Sequence, residues 1–121
     1  MAFRDCCLNT TGKTADQVAD DLGALMNASH DSCQHIYECS HPQLDRLVNV
    51  CREAGALGSR LTGAGWGGCC VSLVKNDNVD QFLKQVTEKY YNVEQTTAGN
   101  DPTMKGWLFA TAPANGAICF K

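Results

Sequence analysis

The stretch that decides the fold runs from Gly58 to Cys70 and reads Gly-Ser-Arg-Leu-Thr-Gly-Ala-Gly-Trp-Gly-Gly-Cys-Cys. Four of the six residues from Gly63 to Gly68 are glycine, and an apolar run follows directly. Glycine tolerates positive φ and lets the backbone come close to a ligand or to another backbone. We predict a short strand near Ser59–Thr62, then a glycine loop, then a second strand over Cys69–Val74.

Two helices are predicted upstream of this stretch. Thr14 and Gln17 have the spacing of a capping box, and a helical period of apolar residues predicts a long helix over Asp16–Glu38. Its expected buried stripe comprises Val18, Leu22, Leu25, Met26, Ser29, Cys33, Ile36 and Tyr37.

The second helix is predicted to begin at another capping box, formed by Ser40 and Gln43, with Pro42 in its first turn. Gly55 is the expected stop. The expected buried stripe of this helix comprises Leu44, Leu47, Val48 and Cys51.

Downstream of the loop, Asn78 is expected to cap a third helix that extends to Tyr90. Residues 92–105 are polar and are expected to form a long loop. Apolar runs at Trp107–Thr111 and Ala117–Phe120 predict a closing hairpin. The element order therefore predicts an α+β fold, in which an antiparallel four-stranded sheet carries its helices on one face. We expect one domain over residues 14–121, preceded over residues 1–13 by a frayed lead-in or by a truncated upstream element.

Charge, hydropathy and cysteine spacing give no support for nucleic-acid binding, membrane insertion or zinc binding. The chain has 121 residues and a net charge of −3, which gives no electrostatic footprint for nucleic acid or an anionic membrane. No apolar run reaches the length of a membrane span, and no signal peptide is recognisable. The eight cysteines lack the spacings of a zinc site, so we expect reduced, structural thiols in a cytoplasmic protein and no metal site.

The glycine loop has several possible roles on residue types alone. Gly63, Gly65 and Gly68 match Gly-x-Gly-x-x-Gly, but a dinucleotide fingerprint must open a helix, and here a β-like run follows. A tight hairpin loop with packing glycines is the plain alternative. Trp66 would then fill a core or lie at an interface. Arg60 would bind an anion or pair with a carboxylate, and Thr62 would contact a ligand or cap the turn.

Three segments together resemble one known family. They are Leu22–Cys33 (Leu-Gly-Ala-Leu-Met-Asn-Ala-Ser-His-Asp-Ser-Cys), Tyr37–Val48 (Tyr-Glu-Cys-Ser-His-Pro-Gln-Leu-Asp-Arg-Leu-Val) and the Gly58–Cys69 run. In order and spacing they resemble the C-terminal domain of galactokinases and N-acetylgalactosamine kinases, in the GHMP sugar-kinase superfamily. The third segment is similar to the third conserved motif of that family.

The resemblance implies a ferredoxin-like C-terminal domain and phosphorylation of galactose or N-acetylgalactosamine at C1 by ATP with Mg²⁺. It implies that the third motif lies near the active site, at the interface with an N-terminal domain. The positions carried over as proximal to the active site are Thr62, Gly63, Ala64, Gly65, Trp66, Gly67 and Gly68. Ser29, His30 and Arg60 match family positions, but no chemical step is assigned to them.

The resemblance also implies what these 121 residues do not contain. In the family, the sugar-recognition motif, the ATP phosphate loop and the catalytic Asp/Arg pair all belong to the upstream domain. We therefore assign no catalytic residue and no bound cofactor to this chain, and expect it to be inactive alone. The expected partner is the N-terminal kinase domain, with self-association through the exposed interface near Trp66 as a further expectation. The alternative is a non-catalytic, galactokinase-like sensor that acts by protein contact.

Overall fold

The computed structural model describes residues 2–92 and 107–112. Four α-helices and two strands occur in these ranges: α1 Ala2–Leu8, α2 Ala15–His35, α3 Pro42–Glu53, β1 Gly58–Thr62, β2 Cys69–Leu73 and α4 Val79–Val86. A 3₁₀ turn, Asn76–Asn78, precedes α4, and a π-helical turn, Thr87–Tyr91, follows it. The α+β class is confirmed.

The sheet within the described residues has two strands, not the four that the sequence predicted. β1 and β2 pair antiparallel, with Gly58 opposite Leu73 and Thr62 opposite Cys69. Residues 107–112 hold no strand, so the prediction at Trp107–Thr111 is wrong. The predicted strand Ala117–Phe120 and most of the predicted loop 92–105 lie outside the described residues. Apolar alternation permits a strand, but pairing with a neighbour is what forms one.

The helix starts follow local capping chemistry. Thr14 and Gln17 form the predicted capping box, in which the Gln17 N–H donates to Thr14 Oγ1 at 3.2 Å and the Thr14 N–H donates to Gln17 Oε1 at 2.9 Å. The predicted cap of α3 is wrong by one residue. His41 is the N-cap, and its Nδ1 accepts from the Gln43 N–H at 3.2 Å.

The first thirteen residues contain one helix that the sequence analysis did not predict. α1 spans Ala2–Leu8 and contacts α2. The domain boundary expected at residue 14 stays a prediction.

The core has two buried clusters. The larger joins α3 to α4 and comprises Leu47, Cys51, Ala54, Phe82 and Val86. The smaller joins the α2–α3 connection to β1 and comprises Cys39, Leu44 and Leu61. Of the seven described cysteines, all free thiols, Cys39 and Cys51 are buried, whereas Cys7 and Cys69 are exposed.

Two glycines let α2 and β1 touch through their backbones. A Cβ on Gly23 would meet the Leu57 carbonyl carbon at 2.6 Å, and a Cβ on Gly58 would meet Gly23 Cα at 2.6 Å. Such distances are shorter than real Cβ contacts. A side chain at either position would therefore push α2 away from the strand.

Because α2 is so close, its side chains complete the hydrogen bonds of the β1 edge. The Asn27 Nδ2–H donates to the Leu57 carbonyl at 3.2 Å, and Asn27 Oδ1 accepts from the Ser59 N–H at 3.0 Å. From α3, Arg52 Nη2–H donates to the Ser59 carbonyl at 3.2 Å. Backbone groups of an edge strand that would otherwise lack partners are thus satisfied by side chains of α2 and α3.

We predict that Gly23→Ala destabilises the protein. Alanine favours a helix over glycine by about 1 kcal/mol, but forcing a methyl group into this contact costs roughly 1–3 kcal/mol or more. Because the obstacle is backbone, the clash lies at or above the upper end of that range, and we expect a net fall of about 2 kcal/mol in the free energy of unfolding in urea titrations. Ala24→Val, on the exposed neighbouring residue, is the control and should change it by less than about 1 kcal/mol. A stabilised Gly23→Ala variant would contradict the close packing.

Asn27→Leu tests the edge of β1. The substitution keeps the approximate size of the side chain but leaves the Leu57 carbonyl and the Ser59 N–H without their partner. Each unsatisfied buried group costs about 1–3 kcal/mol, so we expect a loss of at least about 2 kcal/mol in the free energy of unfolding. Asn49→Leu, an exposed position on α3, makes the same chemical change and should cost no more than about 0.5 kcal/mol. Equal effects of the two substitutions would show that the Asn27 bonds contribute nothing.

Candidate functional site

The glycine loop connects β1 to β2 as residues 63–68. All four of its glycines, Gly63, Gly65, Gly67 and Gly68, have φ between 86° and 141°. This is the left-handed or extended positive region that other residues rarely adopt. The strand β2 follows the loop directly, so the helix that a dinucleotide fingerprint requires is absent here, as predicted.

The tip of the loop is attached to the connection between α2 and α3. The Trp66 N–H donates to the Cys39 carbonyl at 2.6 Å. A Cβ on Gly65 would clash with that same carbonyl and would lie 3.2 Å from Cys39 Cβ. Gly65 is therefore required both for its positive φ and for the close approach, and the tip cannot move without moving Cys39.

Two non-glycine residues at this junction are held in the left-handed region. Glu38 has a φ of 54° and Trp66 a φ of 55°. This conformation is uncommon for side chains other than Asn, Asp and Gly, and it is tolerated only where the surroundings enforce it. Here the hydrogen bond to Cys39 and the packing of Gly65 supply that constraint.

The junction presents three exposed apolar side chains, which we call the apolar patch: Ile36, Tyr37 and Trp66. They are 81%, 72% and 61% exposed. The rings of Tyr37 and Trp66 lie 6.2 Å apart between centroids, with 51° between their planes. The sequence prediction that Ile36 and Tyr37 belong to the buried stripe of α2 is wrong, because the helix ends at His35 and the chain turns away from the core.

The start of the loop is fixed by a buried histidine. His30 is 2% exposed, and its Nδ1 accepts a hydrogen bond from the Leu61 N–H at 3.2 Å. Its Nε2 lies 3.4 Å from Asp45 Oδ1, and the same oxygen accepts from the Ser40 hydroxyl. Since Nδ1 accepts, the imidazole is neutral and carries its proton on Nε2, facing the carboxylate.

The surroundings of His30 favour this neutral form. Burial is the largest cause that lowers the pKa of His30 below its ordinary value, and the Arg52 charge lowers it further. Asp45 and Asp31 act in the opposite direction without reversing the shift. Sequence reasoning assigned His30 no role. The three-residue spacing of Asn27 and His30 places both on one face of α2, and this spacing is the sequence signal that could have identified them as partners of the same neighbouring segment.

The predicted site residues form one continuous segment at the end of β1 and through the loop. Thr62, Gly63, Ala64, Trp66 and Gly68 are exposed, and Gly65 and Gly67 are partly buried. Arg60, for which an anion or a carboxylate was considered, donates from Nε to the Leu61 carbonyl at 2.9 Å. It therefore helps to hold the backbone where the loop begins.

The donor set of this segment does not fit a complete Mg²⁺–ATP site. Residues 62–68 contain no lysine, arginine or carboxylate to hold phosphate or metal. Within residues 2–92 and 107–112, no group of three His, Cys, Asp or Glu side chains could hold a metal ion. None of the helices described there is long and apolar enough to cross a membrane. What the loop offers is exposed backbone and the apolar patch.

Comparison with known proteins finds relatives of one family that match most of the chain. The family described as "GHMP kinases C terminal" matches residues 13–92. The chain is 46% identical to a galactokinase of Dictyostelium discoideum over 110 residues, which is 83% of this chain and 20% of the relative. It is 36% identical to a galactokinase of Saccharomyces cerevisiae over 118 residues, which is 94% of this chain and 22% of the relative.

Two solved structures share the fold. A Lactococcus lactis galactokinase complexed with galactose has a TM-score of 0.57 and 31% identity, covering 78% of this chain and 31% of that one. A mevalonate kinase of L. major in complex with R-mevalonate has a TM-score of 0.56 and 42% identity, covering 59% of this chain and 22% of that one. The chain spans about a fifth of the length of the two galactokinases of Dictyostelium discoideum and Saccharomyces cerevisiae. With its glycine loop held between two antiparallel strands and a family match over most of its length, this chain belongs to the GHMP kinase C-terminal family, of the galactokinase type.

Proposed function

We propose that this chain is the C-terminal part of a cytoplasmic, ATP-dependent kinase that phosphorylates galactose or N-acetylgalactosamine at C1, and that it is inactive alone. The observation that carries the proposal is the constrained glycine loop between β1 and β2, at which five of the seven residues Thr62–Gly68 are exposed. Phosphoryl transfer depends on positioning and on charge neutralisation of the transferred group. The loop supplies a fixed backbone surface but no charge, so the charged groups, Mg²⁺ and ATP must come with another domain.

The partner is the N-terminal kinase domain, and the proposed contact surface is the glycine loop together with the apolar patch. Exposed apolar side chains that lie together mark interaction sites, and burying them favours association. The backbone adopts the left-handed conformation at Glu38 and Trp66, and the rings of Tyr37 and Trp66 lie 6.2 Å apart between centroids before any partner arrives. A prearranged surface loses less conformational freedom on binding than a mobile one.

Reconstitution tests the proposed activity. The chain should be mixed with the portion of the Dictyostelium galactokinase that it does not match, and ADP release measured with galactose or N-acetylgalactosamine. We expect neither part alone to turn over and the mixture to do so with one of the sugars. Turnover by the chain alone would contradict the proposal. A mixture that forms a complex but does not phosphorylate either sugar would favour the sensor function instead.

Gly65→Ala should abolish most of the reconstituted activity. The added methyl group meets the Cys39 carbonyl, and an alanine at this position must adopt a positive φ. Because both effects displace the loop, we expect kcat to fall at least about a hundredfold. Gly12→Ala is the matched control, because Gly12 also has a positive φ but a Cβ there meets nothing within 4 Å. Equal losses in both variants would show that backbone strain, not the position of the loop, causes the effect.

Tyr37→Ser tests the partner surface. Removing an exposed ring from the centre of an interface commonly weakens binding at least about tenfold, and we expect this rise in Kd for the N-terminal portion by isothermal titration. Phe3→Ser, an exposed ring on α1, is the control and should leave Kd unchanged. If Tyr37→Ser instead abolishes self-association of the chain and leaves the heterologous Kd unchanged, the patch is a surface between copies of this chain.

A further inference from the structure

The side chain of His30 is buried, and the proposed phosphorylation assigns it no chemical step. We propose that His30 is a positioning residue for the glycine loop, and that its protonation releases the start of the loop. The inference deepens the proposed function, because the loop is the segment of this chain assigned to the active site. His30 sets where the loop begins, and this positioning is lost when the ring is protonated.

The loop is held at two points that share one buried cluster. At its start, the Leu61 N–H donates to His30 Nδ1 at 3.2 Å, one residue before β1 ends. At its tip, the Trp66 N–H donates to the Cys39 carbonyl at 2.6 Å. Leu61 and Cys39 pack together with Leu44. Close-packed interiors transmit displacements, so a shift of Leu61 reaches Cys39 and the tip.

His30 is in turn fixed from α3. Asp45 Oδ1 lies 3.4 Å from Nε2, and the Ser40 hydroxyl donates to the same oxygen. The chain of contacts therefore runs from Ser40 through Asp45 and His30 to the Leu61 N–H. A carboxylate behind a histidine selects the tautomer whose other nitrogen accepts, as second-shell groups do at metal and catalytic sites.

Charged groups face His30 from each element packed around it. Asp31 lies on its own helix, Asp45 and Arg52 on α3, and Arg60 on β1. Burial and the two arginines oppose protonation, and the two aspartates favour it, with a lowered pKa as the result. The neutral acceptor state is therefore maintained at neutral pH by the surroundings of the ring.

Protonation abolishes the hydrogen bond at Nδ1. An imidazolium has a proton on both nitrogens, so Nδ1 becomes a donor that opposes the Leu61 N–H. An unfolded chain binds this proton near the ordinary value of 6.5, whereas the folded chain binds it only at lower pH. The stabilisation by His30 is thus complete above 6.5 and is lost as pH falls from there through the lowered pKa.

Amide hydrogen exchange followed by NMR tests the inference on the chain itself. The measured quantity is the protection of the Leu61 and Trp66 amides relative to that of the Val48 and Cys51 amides in α3, which report the stability of the core. As pH falls from neutral through the pH at which the His30 ring itself titrates in the NMR spectrum, we expect this ratio to drop at least about fivefold, the loss of roughly one hydrogen bond.

Two substitutions at His30 separate positioning from mere filling of space. His30→Gln keeps an acceptor oxygen for the Leu61 N–H but does not titrate, so its protection ratio should not change with pH. His30→Leu has no acceptor, so its ratio should be low at every pH. If His30→Leu does not fold, the comparison of wild type with His30→Gln alone decides.

Three results would overturn the inference. They are a wild-type ratio that does not change across the titration of His30, a His30→Gln ratio that falls as the wild-type ratio does, and a folded His30→Leu variant whose ratio equals that of the wild type at neutral pH. None of these measurements needs kinase activity. A reconstituted mixture without turnover would therefore refute the proposed function and leave the positioning inference standing. In an active mixture, His30→Gln should extend kcat to lower pH and change the KM for the sugar by less than about twofold.

Discussion

The close contact between the backbones of α2 and β1 is the constraint on which the rest of this structure depends. Gly23 and Gly58 face each other at a distance that no side chain tolerates. Only at this separation can Asn27 and His30 reach the edge of β1 and hydrogen-bond to its backbone. The two strands in the described part of the chain have little stability as an isolated hairpin, so the helix that completes the edge of β1 is what gives them a fixed position.

The glycine loop acquires its geometry from this arrangement and not from its own flexibility. Its start is held by His30 and its tip by the Cys39 carbonyl, and both attachments belong to the region where α2 leads into α3. Glycines allow the path, but side chains and carbonyls elsewhere select one conformation. The left-handed Trp66 and Glu38 are a consequence, and they bring Trp66 beside the exposed ring of Tyr37. A segment whose glycines would permit many conformations is thus constrained at its start and at its tip.

Patterns that depend on neighbours in sequence were predictable. The Thr14 capping box, the stop at Gly55 and the hairpin around the loop rest on short-range rules, and the structure has all three. Features that depend on tertiary contacts were not. A helical period cannot show where a helix stops, so Ile36 and Tyr37 were assigned to the core although a left-handed, non-glycine Glu38 follows them. The role of His30 likewise needed the position of β1, and the strand predicted at Trp107–Thr111 needed a partner strand.

The most direct test of this account is a ¹⁵N NMR measurement of the His30 side chain at neutral pH. We expect a neutral ring with its proton on Nε2, an unprotonated Nδ1, and a scalar coupling across the hydrogen bond from the Leu61 amide nitrogen to Nδ1. These signals appear together only if α2 lies against β1 as the two glycines allow. A proton on Nδ1, or a charged ring, would show that His30 does not accept from the strand and would contradict the account.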